Sequence, residues 1–264
     1  MSFFTASDLC AGYGAKRILS GVSFSLDRGE ITGVIGANGS GKTTLLKALC
    51  GILPYEGTCT LNGTALKPLG ARSIARLISY IPQRSGIAID LSALDVVLMG
   101  FNPQLKLLEQ PTQAMQQKAR QALEQVGLAG CMQENYQHLS EGQKQLCILA
   151  RTLVSGCPLL LLDEPESALD FRHRYDMLAL LRRLTDDHQT SALVTLHDPI
   201  LALNACDQLL LLHEGRMLGV LRPRQDAPEQ MERTLREIYG PVSLQRVLRR
   251  DGTPQLIMLK EDER

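Results

Sequence analysis

The sequence predicts an α/β fold with a mixed sheet, an antiparallel β subdomain at the N-terminus and an inserted helical subdomain. In the first 35 residues, short apolar and polar runs alternate between glycines, a pattern typical of antiparallel strands. Residues 31–35 have the pattern of a buried strand, and a glycine-rich loop and a helical segment follow them. Residues 91–153 carry mostly helical patterns, and the continuous apolar run at residues 159–162 indicates a buried parallel strand.

The remaining elements are assigned from periodicity and from glycine and proline punctuation. Further short strands are predicted at residues 57–61, 78–81 and 191–196. Helices are predicted at residues 43–49, 94–99, 112–126, 143–154, 175–184 and 228–239. From about residue 216, the chain is predicted to form short strands around the last of these helices. This alternation of strands and helices places the core in the α/β class.

Composition excludes several classes of protein. The 264 residues include 28 basic and 28 acidic side chains and are 44% hydrophobic, which suits a chain with a sizeable core and not a disordered one. A net charge of zero argues against a general nucleic-acid binder, so no nucleic-acid partner is expected. The charged clusters at residues 172–174 and 182–183 are interpreted as solvated helix faces.

Hydropathy and cysteine content favour a reduced, cytoplasmic environment. The longest uncharged stretches, residues 31–41 and 152–162, have eleven residues each, whereas a membrane span needs about 20. The first residues lack the basic and apolar regions of a secretory signal. The seven cysteines include no Cys-x-x-Cys pair, so we expect reduced core thiols and no transition-metal site.

Residues 36–43, Gly-Ala-Asn-Gly-Ser-Gly-Lys-Thr, match the phosphate-loop pattern G-x-x-x-x-G-K-[ST]. The match lies between a predicted strand and a predicted helix, which is the context that a phosphate loop requires. Glycines allow backbone N–H groups to surround a phosphate, and the helix N-terminus adds positive potential. Lys42 is expected to reach the β- and γ-phosphates, and Thr43 to offer its hydroxyl to Mg²⁺. A P-loop NTPase core is therefore predicted.

Two carboxylates, Asp163 and Glu164, directly follow the apolar run at residues 159–162. A carboxylate at the end of a buried strand beside a phosphate loop can hold Mg²⁺, usually through water, and this role is assigned to Asp163. Glu164 is expected to point into the same cleft and to orient or deprotonate the attacking water. A helix-capping carboxylate is the alternative for Glu164.

Residues 139–143, Leu-Ser-Glu-Gly-Gln, precede Asp163 by twenty residues and resemble the LSGGQ signature of the ATP-binding cassette family. The resemblance covers nearly the whole chain. Four further residues match that family's motifs in order and spacing. Tyr13 resembles the aromatic residue that stacks on adenine, and Gln83 the glutamine of the Q-loop. Asp170 resembles the aspartate of the D-loop, and His197 the switch histidine. Taken alone, each of these has a structural explanation, as a turn residue, a surface amide, a helix N-cap or a strand-end histidine.

The signature segment also has a structural interpretation. Ser140 and Gln143 fit a capping box for the helix that follows, and a capped helix N-terminus is suited to face a phosphate. The chain departs from the family at Glu141, which stands where the signature has glycine. Because a carboxylate facing the nucleotide would repel it, we expect Glu141 to turn outward and to leave Ser140 and the Gly142 N–H in place.

The resemblance implies that the chain binds and hydrolyses ATP with Mg²⁺. It assigns catalytic roles to Glu164, His197, Lys42 and Gln83, and Mg²⁺ binding to Thr43, Gln83 and Asp163. The nucleotide contacts that it implies are Tyr13, Gly36, Asn38, Gly39, Ser40, Gly41, Lys42, Thr43, Thr44, Ser140, Gly142, Gln143 and Asp170.

The family also implies an assembly. The chain carries one set of motifs, so it is expected to pair head to tail with a second copy, with ATP enclosed between them. The pair is expected to dock on integral membrane permease subunits at the cytoplasmic face of the inner membrane. An extracytoplasmic substrate-binding protein would then be an indirect partner.

Two stretches narrow the class of transporter. Residues 61–83 and 91–111 resemble the cassettes of importers for iron siderophores, haem and cobalamin, as do residues 238–240 and 253–257. Those cassettes usually show Gly-Arg-x-Pro where this chain has Phe101 in the arginine's place. A metal-chelate importer is therefore the main hypothesis. The alternatives are a soluble cassette ATPase, a weakly hydrolysing nucleotide-gated switch and an exporter component.

A single domain is expected over residues 1–264. Within it, residues 1–83 and 158–220 are expected to form the nucleotide-binding core, and residues 84–157 the helical subdomain. Residues 221–264 are expected to form a C-terminal extension.

Overall fold

A computed structural model describes residues 2–83, 86–106, 108–167, 169–188 and 190–262. The predicted subdomain boundary at residue 84 and the predicted outer limits at residues 1 and 264 lie outside these ranges. The strands, numbered in chain order, are β1 (Phe4–Tyr13), β2 (Lys16–Leu26), β3 (Ile31–Ile35), β4 (Tyr55–Leu61), β5 (Thr64–Ala65), β6 (Ile78–Ile81), β7 (Leu159–Asp163), β8 (Ser191–Thr195), β9 (Gln208–His213), β10 (Arg216–Leu221), β11 (Val242–Leu248) and β12 (Pro254–Lys260). The helices are α1 (Lys42–Leu49), α2 (Ala71–Ile74), α3 (Ala93–Leu98), α4 (Gln113–Gln125), α5 (Glu141–Ser155), α6 (Phe171–His188), α7 (Pro199–Ala205) and α8 (Pro228–Tyr239).

The central sheet has six strands in the order β10-β9-β3-β8-β7-β6. Strands β9, β3, β8, β7 and β6 run parallel, whereas β10 pairs antiparallel with β9. Every residue of β3, β7 and β8 is buried, as expected of strands that are covered on both faces. The mixed sheet of the predicted α/β fold is thereby confirmed.

Strand β7 separates two hydrophobic clusters. Leu159 and Leu161 pack in the cluster that contains α1 and the antiparallel sheet β2-β1-β4-β5. Leu160 and Leu162 pack on the opposite face, in the cluster that contains α3, α4, α5 and α6. Because successive strand residues point to opposite faces, four consecutive leucines serve both layers at once. This explains why β7 has an unbroken apolar sequence.

The C-terminal part of the chain packs beside α7. Strands β11 and β12 form a two-stranded antiparallel sheet. The Asn204 amide of α7 donates its Nδ2–H to Leu256 O and accepts the Leu256 N–H, both at 2.9 Å. Glu232 of α8 accepts the Leu244 N–H at 2.7 Å. Side chains of two helices therefore hold the backbone of this hairpin.

The structure corrects two details of the sequence interpretation. Helix α6 begins at Phe171, four residues earlier than expected, because the Asp170 carboxylate accepts the His173 N–H at 2.9 Å and caps the first turn. Arg182 was expected to be solvated. Instead, it is half-buried and forms an ion pair of 2.8 Å with Asp207, because α6 packs its side chain against the turn between α7 and β9.

The seven cysteines are free thiols, and Cys59, Cys147, Cys157 and Cys206 are buried. Burial raises the pKa of the Cys206 thiol to about 12, so this thiol stays protonated and unreactive. Across the ranges that the structure describes, no helix combines the length and apolarity that a membrane crossing requires.

We predict that Thr32→Val raises stability. Thr32 lies in β3 at 1% exposure, and its Oγ1 has no hydrogen-bond partner among the described residues. Valine removes a buried, unpaired hydroxyl with almost no change in shape, so urea denaturation should show a gain of about 1 kcal/mol.

Thr185→Val is the matched control, because Thr185 is equally buried but its hydroxyl donates to Arg182 O at 2.8 Å. This variant should be no more stable than the parent. A comparable loss of stability in both variants would show that the Thr32 hydroxyl is paired after all.

Candidate active site

The loop between β3 and α1 approaches other backbone closely. A Cβ atom added to Gly36 would lie 2.1 Å from Leu212 O, so this position accepts only glycine. Gly39 and Gly41 have φ values of 79° and 106°, a region that glycine occupies without steric cost. The glycines of residues 36–43 are therefore required by the loop conformation itself.

The loop leaves polar groups free to receive an anion. Gly41 is the N-cap of α1 and offers no side-chain cap, so the first N–H groups of the helix stay available. The Ser40 Oγ is buried, with no hydrogen-bond partner in the described part of the chain. Asn38 and Gly39 are exposed at the loop tip, and Thr44 is buried in the first turn of α1. A helix N-terminus of this kind is suited to bind phosphate.

The Lys42 side chain folds back over the loop. Its Nζ donates to Gly36 O at 2.9 Å and to Ala37 O at 3.3 Å. Burial lowers the pKa of the Lys42 ammonium, and the nearby carboxylates of Glu164 and Asp163 act in the opposite direction. A cation is thus held beside the carboxylates and against the loop backbone.

Asp163 ends β7 at 3% exposure, and three hydroxyl groups surround its carboxylate. Thr43 and Thr195 donate to Oδ1 at 3.1 and 2.9 Å, and Tyr80 donates to Oδ2 at 3.2 Å. Burial and the adjacent Asp163 raise the pKa of Tyr80 strongly, so the phenol remains a donor. Carboxylate and hydroxyl oxygens are hard ligands, and the Asp163–Thr43 pair therefore fits Mg²⁺.

Glu164 joins two residues that the sequence analysis assigned to the site. Its Oε1 lies 2.7 Å from the His197 Nε2, and its Oε2 accepts the Gln83 Nε2–H at 2.9 Å. The Glu164 backbone has a φ of 48°, which is uncommon for a residue other than glycine. The Glu164 N–H donates to Thr195 Oγ1 at 2.8 Å. The Glu164 side chain is therefore held through both carboxylate oxygens, and its backbone is held through the N–H group.

Three further residues support this arrangement and were missed in the sequence analysis: Tyr80, Thr195 and Glu166. Glu166 is 2% exposed, and its Oε1 accepts the His197 N–H at 3.0 Å. Burial raises the pKa of Glu166, and the hydrogen bond from the His197 backbone opposes this rise. The available sequence signal for Glu166 was its charge, since it lies two positions after Glu164 in a segment that is buried. Thr195 and Tyr80 lie in apolar strands and gave little signal.

The signature segment is organised separately. Ser140 Oγ accepts the Gln143 N–H at 3.2 Å, and Gln143 Oε1 accepts the Ser140 N–H at 2.9 Å, so the expected capping box is present. Glu141 turns outward and forms an ion pair of 2.8 Å with Lys144. Gly142 packs beside Leu169.

The structure thus brings one part of the predicted site together and leaves another part apart. The residues joined by hydrogen bonds or ion pairs around the phosphate loop are Lys42, Thr43, Gln83, Asp163, Glu164 and His197. Over the ranges that the structure describes, no such bond links this group to the remaining candidates Tyr13, Ser140, Gly142, Gln143 and Asp170. Tyr13 is 47% exposed at the end of β1, and Asp170 bonds to His173.

A phosphate loop, an acidic strand end and an inserted helical layer with a capped signature helix define a nucleotide-binding cassette. Residues 19–167, more than half of the chain, match the ABC transporter family. The chain therefore belongs to the ABC transporter family.

Curated relatives and solved structures agree with this membership. The hemin import ATP-binding protein HmuV of Vibrio cholerae serotype O1 is 34% identical over 238 residues, which cover 88% of this chain and 89% of that protein. HmuV of Bordetella pertussis is 39% identical over 246 residues, with coverage of 89% and 91%. One solved structure is the inward-facing conformation of an ABC transporter assigned to the metal-chelate type. It superposes on this chain with a TM-score of 0.84 at 27% identity. The match covers 98% of this chain and 96% of that one.

We predict that Glu141→Gly leaves ATP turnover within about threefold of the parent chain. Its carboxylate is exposed and already paired with Lys144, and such a surface charge contributes little at physiological ionic strength. Phosphate release at saturating ATP is the measurement.

Lys144→Gln is the matched variant, because it removes the cation and leaves Glu141 unpaired. A tenfold rise in turnover for Glu141→Gly would instead show that the carboxylate inhibits hydrolysis.

Proposed function

We propose that this chain is the ATP-hydrolysing subunit of an importer for a metal chelate of the haem or iron-siderophore type. The observation that carries the enzymatic part is the Glu164 carboxylate, held between His197 and Gln83 beside the phosphate loop. The names of the relatives, which are hemin import ATP-binding proteins, support the substrate class.

The phosphate loop is the proposed binding site for the ATP phosphates. Lys42 and the free N–H groups of α1 would balance phosphate charge, and Ser40 has a hydroxyl free to donate. Thr43, Asp163 and Gln83 are the proposed holders of Mg²⁺, which when bound neutralises charge on the phosphates. Tyr13, which is exposed at the end of β1, is the proposed adenine contact.

Glu164 is the proposed residue that orients and deprotonates the attacking water. Its side chain is 12% exposed, so the carboxylate is shielded from bulk water yet reachable from the cleft. His197 and Gln83 each contact one carboxylate oxygen and fix its orientation. The chain therefore supplies the base and its positioning groups from three separate segments.

A second copy of the chain is the proposed source of the missing contacts. Ser140 and Gln143 bond to each other, Gln143 also donates to Cys131 Sγ, and Asp170 bonds to His173. No hydrogen bond among the described residues joins these three residues or Gly142 to the phosphate loop. In a head-to-tail pair, the N-terminus of α5 from one copy would face the phosphate loop of the other. ATP would then close the pair, and its hydrolysis would release it.

Membrane permease subunits are the proposed partners on another face. A cleft of about 930 Å³ lies between the segment after β6 and α5, with Gln83, Ile87, Tyr136 and Gln145 in its wall. Its position next to Gln83 supports a role in transmitting permease contacts to the site. The protein would act peripherally at the cytoplasmic face of the inner membrane, and an extracytoplasmic substrate-binding protein would be an indirect partner.

The proposed subdomain division assigns residues 84–157 to the permease-facing helical layer. Residues 1–83 and 158–220 would form the nucleotide-binding core, and residues 221–264 the extension beside α7. Helices α3, α4 and α5 pack on one another, which supports a helical layer within residues 84–157.

The experiment that tests this function is affinity capture of the tagged chain from native membranes in mild detergent. Every co-purifying protein is identified by mass spectrometry, and an untagged strain serves as control. We expect a multi-helix membrane protein at about one copy per cassette. Recovery of cytosolic proteins alone would contradict the importer and favour a soluble cassette ATPase.

We predict that Glu164→Gln converts the chain into a stable dimer when Mg-ATP is saturating, because the amide keeps the size of the side chain and one acceptor oxygen but cannot accept a proton from water. Light scattering after gel filtration measures the mass with ATP, with ADP and without nucleotide.

Glu229→Gln, an exposed carboxylate at the start of α8, is the matched control and should behave as the parent chain. A Glu164→Gln protein that remains monomeric with saturating Mg-ATP would contradict the paired arrangement.

A further inference from the structure

Two hydrogen bonds run in opposite directions between the segments that carry Glu164 and His197. The Glu164 N–H donates to the Thr195 hydroxyl at 2.8 Å. The His197 N–H donates to the Glu166 carboxylate at 3.0 Å. Each segment thus lends one side chain to fix the backbone of the other.

Thr195 is suited to its part of this exchange by burial and by position. It is fully buried at the end of β8, directly opposite Asp163 in the parallel pairing of β7 and β8. Its hydroxyl donates its proton to Asp163 Oδ1 at 2.9 Å and accepts the Glu164 N–H with a lone pair. One oxygen atom therefore links the carboxylate at the end of β7 to the left-handed backbone of Glu164.

Glu166 completes the exchange from the other side. It is 2% exposed, and its second oxygen, Oε2, has no hydrogen-bond partner in the ranges that the structure describes. Burial of a carboxylate is costly, and this one is used to hold a single backbone amide, that of His197. The next residue, Asp198, caps α7 by accepting the Ile200 and Leu201 N–H groups.

We propose that Thr195 and Glu166 are positioning residues that hold the Glu164–His197 pair in register for hydrolysis. The 2.7 Å contact between the two side chains requires both backbones to stay in place. We call the hydrogen bonds from Glu164 N–H to Thr195 Oγ1 and from His197 N–H to Glu166 Oε1 the crossed bonds, and each of them restrains one backbone. The proposal rests on the proposed ATPase function for its consequence, but the crossed bonds themselves can be tested without it.

The first test is amide hydrogen exchange at Glu164 and His197, followed by NMR in the nucleotide-free chain. Thr195→Val keeps the shape and strand preference of the residue but loses the hydroxyl acceptor. Glu166→Met keeps a side chain of similar length but loses the carboxylate acceptor. We expect exchange at both amides to be at least tenfold faster in either variant, because the two bonds support each other. Thr195→Ser and Glu166→Gln retain an acceptor and should exchange as the parent does.

The second test is ATPase kinetics on the same variants. Thr195→Val and Glu166→Met should each lower kcat at least tenfold. In Glu166→Met the KM for ATP should stay within threefold, since the hydrogen bond of this carboxylate goes to the His197 N–H and not to the phosphate loop or Asp163. Thr195→Ser and Glu166→Gln should recover kcat to within about threefold. Thr32→Val, a buried threonine in the same sheet whose hydroxyl is unpaired, is the control and should match the parent.

The outcomes separate this proposal from the proposed function. Parent-like exchange at both amides in Thr195→Val and Glu166→Met would overturn the proposal. Equal changes in kcat for Thr195→Val and Thr32→Val would also overturn it. A parent chain without ATPase activity would contradict the proposed function, and the exchange data would still decide whether the crossed bonds exist. If one valine or methionine variant fails to fold, the other gives the same readout from the opposite segment.

Discussion

The arrangement of the site depends on the burial of one carboxylate, that of Asp163, at the carboxyl end of the central sheet. A buried carboxylate is tolerated only when its oxygens are hydrogen-bonded. Here the donors come from α1, β6 and β8, through Thr43, Tyr80 and Thr195. Satisfying this one group therefore requires three separate elements to reach the end of β7 together. The same requirement places the phosphate loop, the segment with Gln83 and the segment with His197 around a common cleft.

Some of this arrangement could be predicted from sequence because the information is local. The phosphate loop is a contiguous motif whose glycines are each demanded by the backbone, and Gly36 shows this most directly. Asp163 and Glu164 were found because an apolar run ends at them. The capping box of Ser140 and Gln143 is also local and was predicted correctly.

Other contacts could not be predicted because they depend on strand register. Thr195 is opposite Asp163 only because β7 and β8 pair in parallel with that alignment, and the two residues are 32 positions apart. Glu166 gains its partner through the same pairing. The expectation for Arg182 was wrong for a related reason, since a helical charge pattern does not reveal that Asp207 lies beside it. Periodicity indicates which face of an element is apolar, but not which polar group of a distant segment meets it.

The position of β3 in the sheet has a consequence for biosynthesis. The phosphate loop follows β3 directly, yet both neighbours of β3 come much later in the chain: Ile31 pairs with Ala192, and Thr32 with Gln208. A ribosome must therefore translate most of the chain before this strand can be enclosed. Until then β3 is an uncovered apolar segment, and pairings of such long sequence separation form slowly. During synthesis, β3 therefore stays exposed to aggregation until β8 and β9 have been made, although the phosphate loop that follows it is complete much earlier.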